Sequence, residues 1–355
     1  MLEFTDQLTK TLKWKLMLIQ FAHQASLSSK TNRYSGYFSR LFQYYQLYRE
    51  HGFLPDEVIK LNLLDHQGNI SDSYVSKSYM TSRQQVLNPP SFQVITEDKA
   101  LFYSYCMHMN IPVPKLLGFF FKNAPGVQWG KHALAGKAEW ADFFENHCPE
   151  EFVIKASLGV YGDGIYFVDK TLKFSGEKLF NTLNSHPKFN SFVVQHCLKN
   201  HPGIMQINPK RGLQTFRVIT YIDSKNNVKI IRAYFKPIVG SNRVDNHKSG
   251  LTGNLLCSID LSTGKLKQPI LLTSDGPVHI SQHPDTGAVL EGALVPLWDE
   301  MSEIAKATAL KFLPLRSIGW DIAVTTDGIQ IIEGNSRWDP LKFGDFGKNN
   351  SIFID

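Results

Sequence analysis

The stretch Gly319-Trp320-Asp321-Ile322-Ala323-Val324, followed by Thr325-Thr326-Asp327-Gly328 and then Ile329-Gln330-Ile331-Ile332-Glu333-Gly334-Asn335, reads as two short strands joined by a turn. A three-residue loop, Thr326-Asp327-Gly328, with Gly328 in the left-handed position, is a common hairpin solution. It predicts that residue 325 pairs with 329, and therefore 321 with 333. Both carboxylates then share one face, and Asn335 joins them because strand side chains alternate with period two. Trp320, Ile322, Ile331 and Ile332 surround them with apolar surface, where two like charges destabilise each other unless a cation lies between them. Two carboxylates and an amide are an oxygen-only donor set suited to a hard ion such as Mg²⁺, which commonly completes its shell with nucleotide phosphates. Taken alone, the stretch is equally a surface hairpin carrying an ordinary Asp and Glu. The rest of the chain has to separate the two readings.

At 355 residues with 43% hydrophobic content, the chain has room for two or three domains with real cores. The formal net charge of +6 comes from scattered basic residues, which fits an anionic ligand and does not point to a nucleic-acid surface. Cys106, Cys148, Cys197 and Cys257 are widely spaced, with no Cys-x-x-Cys pair. They read as reduced, buried thiols of a cytoplasmic protein. No apolar run reaches the length of a membrane span, and no signal-peptide pattern opens the sequence.

Leu8, Leu12, Leu16 and Ile19 recur at helical spacing within residues 2–25, beside Lys10, Lys13 and Lys15. This is a helix that either faces a core or lies on an anionic membrane. Helices are also expected over residues 37–50, closed by Gly52, and 55–64, with a loop at 71–76. Asn88-Pro89-Pro90 marks a boundary, after which Thr96 N-caps a helix reaching Met109. Strands are expected at 115–121, 151–155, 164–168, 192–197, 214–222, 228–235 and 255–260, with helices at 138–148 and 296–312. The pattern is α+β and lacks the strict alternation of a Rossmann sheet. Its divisions are a helical region at 1–90, a subdomain at 91–190 and a second at 191–355.

Glu151-Phe152-Val153-Ile154-Lys155 is a strand ending in lysine, followed at once by Ala156-Ser157-Leu158-Gly159-Val160-Tyr161-Gly162-Asp163-Gly164 and another strand. A glycine-rich turn between strands lets backbone N–H groups approach phosphate oxygens. No Gly-Lys-Ser/Thr follows and no helix opens, which excludes a Walker loop and a Rossmann fingerprint. A plain hairpin loop would also use these glycines; Lys155 entering from a strand favours phosphate. The strand Phe192-Val193-Val194-Gln195-His196-Cys197-Leu198 runs from a core into a polar segment and can offer backbone groups to an adenine edge. Arg217 and Arg232 lie on strands, where isolated salt bridges are the default.

The ordered set of Lys99 at a helix start, Lys155, the glycine-rich loop, strand 192–198, Arg217, then Asp321 and Glu333-x-Asn335 resembles the ATP-grasp superfamily. Within it, Thr215-x-Arg217-Val218, Val244-Asp245-Asn246, His283-Pro284-Asp285-Thr286-Gly287, Pro296-Leu297-Trp298, Gly319-Trp320-Asp321 and Glu333-Gly334-Asn335 are similar to the sugar-transfer-associated ATP-grasp family, related to alpha-L-glutamate-ligase-like proteins, over roughly residues 55–345. The resemblance implies an α+β ATP-grasp fold, in which two subdomains clamp Mg-ATP, behind an N-terminal helical extension.

The resemblance also implies roles. Lys99 and Lys155 would meet the phosphates, and the loop with Ser157, Gly159, Gly162 and Gly164 would cover them. His196 and Leu198 would offer backbone groups to the adenine, with Gln195 in the same cofactor-binding strand. Asp321, Glu333 and Asn335 would hold Mg²⁺, while Arg217, Arg232 and Lys236 supply cationic stabilisation. Asp245, Asn246 and His283 would contact substrate or shape their loop. The chain departs from the pattern at Ala156, where proline is usual, at Lys236, in place of arginine, and at Ser249-Gly250, in place of Gly-Gly. The implied reaction is ATP-dependent ligation of a small-molecule, sugar or peptide carboxylate to an amine or hydroxyl through an acyl phosphate. Its alternatives are a kinase acting on a hydroxyl and a nucleotide-binding scaffold with little turnover. No nucleic acid or transmembrane segment enters this reading, and a homo-oligomer is compatible with it.

Overall fold

Alternation of apolar and polar residues along the strands builds two antiparallel sheets, each covered on one face by helices. A computed structural model describes residues 34–65, 74–160, 162–209, 212–246, 250–273 and 276–339, together with Leu16, Ile19, Ala22 and Ile70. The expected helix over 2–25 lies outside the described residues apart from those at 16, 19 and 22, which are helical. Tyr161 and Ser249 also lie outside them. The chain divides into two compact units, one of residues 1–86, 272–278 and 339–355, the other of residues 87–271 and 279–338.

In the first unit, helices Tyr34–His51 and Pro55–Lys60 enclose Tyr44, Leu47, Phe53, Val58, Leu61 and Leu63. Glu57 is buried there, accepting from the Leu54 and Lys77 amides at 2.7 and 2.6 Å, and burial raises its pKa. Residues 74–76 carry no regular structure, as expected, and an unforeseen helix, Lys77–Leu87, follows them.

The second unit contains both sheets. The first has strands β1 (Leu116–Phe121), β2 (Gly126–Gln128), β3 (Ala133–Leu134), β4 (Glu151–Ala156), β5 (Ile165–Asp169) and β6 (Ser191–His196), in the order β3-β2-β1-β6-β4-β5. Phe152, Ile154, Phe192 and Val194 pack one face against Trp140, Phe143 and Phe144 of the segment 137–147 and Leu183 of helix Gly176–Asn184. Val153, Lys155, Val193 and Gln195 therefore share the other face, as the register Val153↔Gln195 and Lys155↔Val193 requires. Because β6 lies in the middle of this sheet, the expected division after residue 190 cuts through it. The sheet runs to His196.

The second sheet comprises β7 (Thr215–Ile222), β8 (Val228–Phe235), β9 (Cys257–Ser258), β12 (Ser317–Thr325) and β13 (Gly328–Asn335), in the order β13-β12-β7-β8-β9. Between them, β10 (Ile270–Thr273) and β11 (Gly276–His279) pair separately. Phe216, Val218, Ala233, Phe235, Trp320, Ile322 and Val324 join one core with Met301, Ala305 and Ala309 of helix Trp298–Lys311. The opposite face carries the polar residues. β9 is shorter than the expected 255–260 strand, although Leu256 and Ile259 make isolated bridges beside it.

The hairpin reaches the expected register by another route. Thr325 pairs with Gly328, not Ile329, and the ladder runs one residue short until a bulge next to Asp321 brings Asp321 opposite Glu333. The Thr325 hydroxyl donates to the Gly328 carbonyl at 2.8 Å and accepts from the Asp327 amide at 3.1 Å, which tightens the turn. The left-handed Gly328, φ 89°, is retained.

The Pro89-Pro90 pair starts a helix, Pro90–Glu97, since proline is tolerated in a first turn. Thr96 is inside it, its hydroxyl donating to Gln93 O at 2.9 Å and hydrogen-bonded with the Ser336 hydroxyl at 2.9 Å. Asp98 caps the next helix, Lys99–His108, by accepting from the Ala100 and Leu101 amides. Asn88 is fully buried. Its amide donates to Ser317 O and Ser336 O, both at 2.7 Å, and its carbonyl accepts from the Ser317 amide at 3.0 Å. It thus stitches the start of β12 to the end of β13.

Candidate functional site

Register alone sets a polar row across the second sheet. Glu333 faces Asp321, Asp321 faces Arg217, Arg217 faces Tyr234, and Tyr234 faces Ser258. Arg217 grips Asp321 with a fork, Nε to Oδ1 at 2.6 Å and a terminal nitrogen to Oδ2 at 3.0 Å. Lys236, just past β8, adds a contact to Oδ1 at 3.1 Å and lies 3.5 Å from Asp245. Burial works against the Asp321 carboxylate, but the charges of Arg217 and Lys236 and their hydrogen bonds outweigh it. They hold its pKa well below the usual range. Against the same burial, Asp321 keeps Arg217 firmly charged. The two acids thus do not simply repel one another; the protein supplies its own cations.

The first sheet brings a second group of cations to the same place. Lys99 Nζ donates to Gly159 O at 2.7 Å and lies 3.7 Å from Glu333 Oε1, so it ties the glycine-rich loop to β13. Burial first, and Lys99 second, pull the Lys155 ammonium down to about 8, while Glu333, Asp245 and Asp321 push it back up. Lys155 of one sheet is therefore within electrostatic reach of three carboxylates of the other. Gly162 and Gly164 both have positive φ, 78° and 73°. Arg243, on the segment after β8, lies over the Phe167 ring of β5 at 4.3 Å.

Several expected site residues take structural parts. Ser157 is buried, its hydroxyl donating to Asp98 Oδ1 at 3.2 Å and its carbonyl accepting from the Lys99 amide at 3.0 Å, so its side chain faces the helix cap. His196 gives its amide proton to Lys115 O at 2.9 Å, which commits that N–H. Burial, then Lys115, lower its imidazole pKa, with Asp327 opposing. His283 is buried with Nε2 2.9 Å from Ile238 O, and its Nδ1 accepts from the Asp285 amide. Asp245 accepts from the Thr215 amide and hydroxyl at 2.7 and 2.6 Å. The Asn246 carbonyl accepts from Asn254, which also binds Val244 O. These residues fasten the described residues around 237–246 and 250–254 next to Lys236. Arg232 stands opposite Ile219, on the Arg217 face but two positions from Tyr234.

Gln195 is 2% exposed, and its Oε1 has no hydrogen-bond partner. A hydrogen bond links Gln195 to the Tyr103 hydroxyl, which itself donates to Ile332 O at 2.7 Å. An orphaned buried carbonyl costs about 1–3 kcal/mol, so it awaits a donor. The sequence reading missed Tyr103, Asp98, Thr215, Tyr234 and Asn88. It also missed Arg337, whose signal was the period-two row Glu333-x-Asn335-x-Arg337. Arg337 donates to Gln93 Oε1 at 2.7 Å and lies 3.2 Å from Glu97.

The donor chemistry of the hairpin fits a hard cation. Glu333 and Asp321 are carboxylates in register, and Asn335 Nδ2 donates to Gly319 O at 3.3 Å, which commits the nitrogen and leaves the carbonyl end for a ligand. No group of three or more His, Cys, Asp or Glu able to hold a metal occurs among the described residues. No helix of the described residues is long and apolar enough to cross a membrane.

A family model described as sugar-transfer associated ATP-grasp matches residues 78–354. No curated protein is similar enough in sequence to count as a relative. Among solved structures, the chain is similar to D-alanyl-alanine synthetase A from Vibrio cholerae, at 13% identity and a TM-score of 0.45, over 74% of this chain and 62% of that one. For biotin carboxylase from Campylobacter jejuni the values are 13% and 0.42, over 77% and 48%. For N5-carboxyaminoimidazole synthase from Aspergillus clavatus they are 11% and 0.41, over 75% and 53%. The chain thus spans roughly half to three fifths of the length of these structures.

Proposed function

The chain belongs to the sugar-transfer associated ATP-grasp family, and from that premise we propose that it is an ADP-forming ligase joining a carboxylate to an amine or hydroxyl. The observation that carries the proposal is the meeting of Lys99, at the start of helix Lys99–His108, and Lys155 of the first sheet with Glu333, Asp321 and Arg217 of the second sheet and Lys236 just past β8. Four cations around an acidic hairpin suit a polyphosphate and the charge that shifts during phosphoryl transfer.

In this reading Lys155 and Lys99 bind the phosphates under the glycine-rich loop. The orphaned Gln195 oxygen accepts from the adenine amino group. Glu333, Asn335 and Asp321 would hold Mg²⁺, which when bound neutralises phosphate charge and bridges it to the protein. A substrate carboxylate attacks the γ-phosphate, ADP leaves, and the resulting acyl phosphate is captured by the nucleophile with release of inorganic phosphate. Arg217 and Lys236 neutralise the oxygens that gain charge. The family description, sugar-transfer associated, supports a sugar-linked substrate.

Lys155→Ala is expected to weaken nucleotide binding by about 1.5–3 kcal/mol, the worth of a charge-assisted contact. Calorimetric titration with a non-hydrolysable ATP analogue measures it, and unchanged affinity would remove Lys155 from the site. Screening amino acids and sugar acids for ADP release tests the reaction. Phosphate retained on the acceptor would identify a kinase instead.

A further inference from the structure

The ligase reading leaves one problem at the hairpin, and the problem is specific to this site. A carboxylate offers about four lone-pair directions, and Asp321 already accepts from Arg217 twice and from Lys236 once. Glu333, the other acid, has Lys99 at 3.7 Å. Four cations, Lys99, Lys155, Arg217 and Lys236, stand against three carboxylates, Asp245, Asp321 and Glu333. A bare divalent ion approaching Asp321 therefore meets a cluster already neutralised by fixed positive charge. Nucleotide phosphates reverse this, because they give the cations a new partner.

We propose that the site is cation-locked: it takes a divalent metal only together with nucleotide, because Arg217 must leave Asp321 for phosphate before the metal can use that carboxylate. The inference rests on the nucleotide-binding reading above and adds an order of events to it. Arg217 and Lys236 have different parts. Lys236 has a second anchor in Asp245, 3.5 Å away, which is itself held by Thr215. Lys236 can thus stay paired when Asp321 turns to the metal. The Arg217 fork closes on Asp321 alone among the carboxylates, so Arg217 is the group that transfers. Its planar fork matches a phosphate as well as it matches a carboxylate.

The test is Mn²⁺ binding to the full chain, read from the free-ion electron paramagnetic resonance signal with and without ADP, and needs no turnover. Wild type is expected to leave Mn²⁺ free without nucleotide and to bind it with ADP present. Linkage requires Mn²⁺ to raise ADP affinity by the same factor. Arg217→Met is expected to bind Mn²⁺ without nucleotide at least about tenfold more tightly than wild type, with Lys236→Gln showing a smaller gain. If Arg217→Met fails to fold, judged by circular dichroism, Arg217→Lys, which keeps the charge and loses the fork, takes its place, with Mn²⁺ uptake corrected for ADP alone. Equal Mn²⁺ affinity with and without ADP overturns the lock and leaves the ligase reading standing. Binding of ADP with no Mn²⁺ uptake in either state overturns the hairpin as a metal site, and the lock with it.

Discussion

The two sheets meet at one site with opposite degrees of completion. On the first sheet, Gln195 has an unpartnered buried oxygen and Lys155 is held at a depressed pKa, while Lys99 of the adjoining helix contacts Gly159 O and Glu333. On the second, Arg217, Asp321, Lys236, Asp245 and Thr215 satisfy one another at hydrogen-bonding distances. One half leaves a buried polar oxygen without a partner. The other half pairs its charges internally. On the second sheet, register itself supplies a counter-charge, with Arg217 opposite Asp321.

The largest expected effect comes from breaking the closed half. Asp321→Asn leaves Arg217 and Lys236 buried without their shared anion, which is expected to cost about 3–5 kcal/mol of stability. Urea denaturation without ligand measures it. Two like charges with no cation between them would give the opposite sign, an unchanged or more stable free protein on neutralising one. An unchanged midpoint would show that the fork is not formed in solution.

A smaller effect tests whether the hairpin depends on its distant stitch. Asn88→Ala removes donors and an acceptor from three buried backbone groups and is expected to cost about 2–3 kcal/mol. The same contact bears on fragment design. A fragment beginning at residue 91 lacks Asn88, whereas one beginning at 87 keeps it, and only the longer is expected to melt cooperatively. Equal melting temperatures for the two would remove Asn88 from the account.

The smallest effect belongs to the open half. The folded pKa of Lys155 lies near 8, against 10.5 for an ordinary lysine. Between those values the folded, nucleotide-free chain binds fewer protons than the unfolded one, so raising pH through that window favours folding at this group. Below about 8 the charged lysine is a standing cost until phosphate arrives. Nucleotide binding at about pH 8.5–9 is thus expected to take up a fraction of a proton. Calorimetry in two buffers of different ionisation enthalpy detects it, and Lys155→Met should abolish it.

What could be read from sequence was local. The Asp321–Glu333 pairing, Lys155 at a strand end and the glycine-rich turn each depend on residues within one hairpin. Even there the turn differed, because a threonine hydroxyl and a bulge compensated one another. What escaped was carried by distant partners. The Arg217–Asp321 fork joins residues 104 apart in sequence, and no strand pattern announces which strand lies next to which. Thr96 and Asp98 are both good N-caps by type, and Ser157, from another element, accompanies the choice of Asp98. For His283 and Asp245 the sequence left substrate contact and loop shaping both open; the partners that give them a structural part, Ile238 O for His283 and the Thr215 amide and hydroxyl for Asp245, lie 45 and 30 residues away.

The Asn88 contacts span 229 and 248 residues, and this gives the site a history as well as a geometry. The six-stranded sheet closes within residues 116–196, so the cationic half can assemble while the following chain is still being made. The acidic half cannot, since β7 must wait for β12, and Asn88 must wait for both strands of the final hairpin. During synthesis the lysines therefore exist for a time without their carboxylates, as an early-formed basic pocket whose counter-charge arrives last.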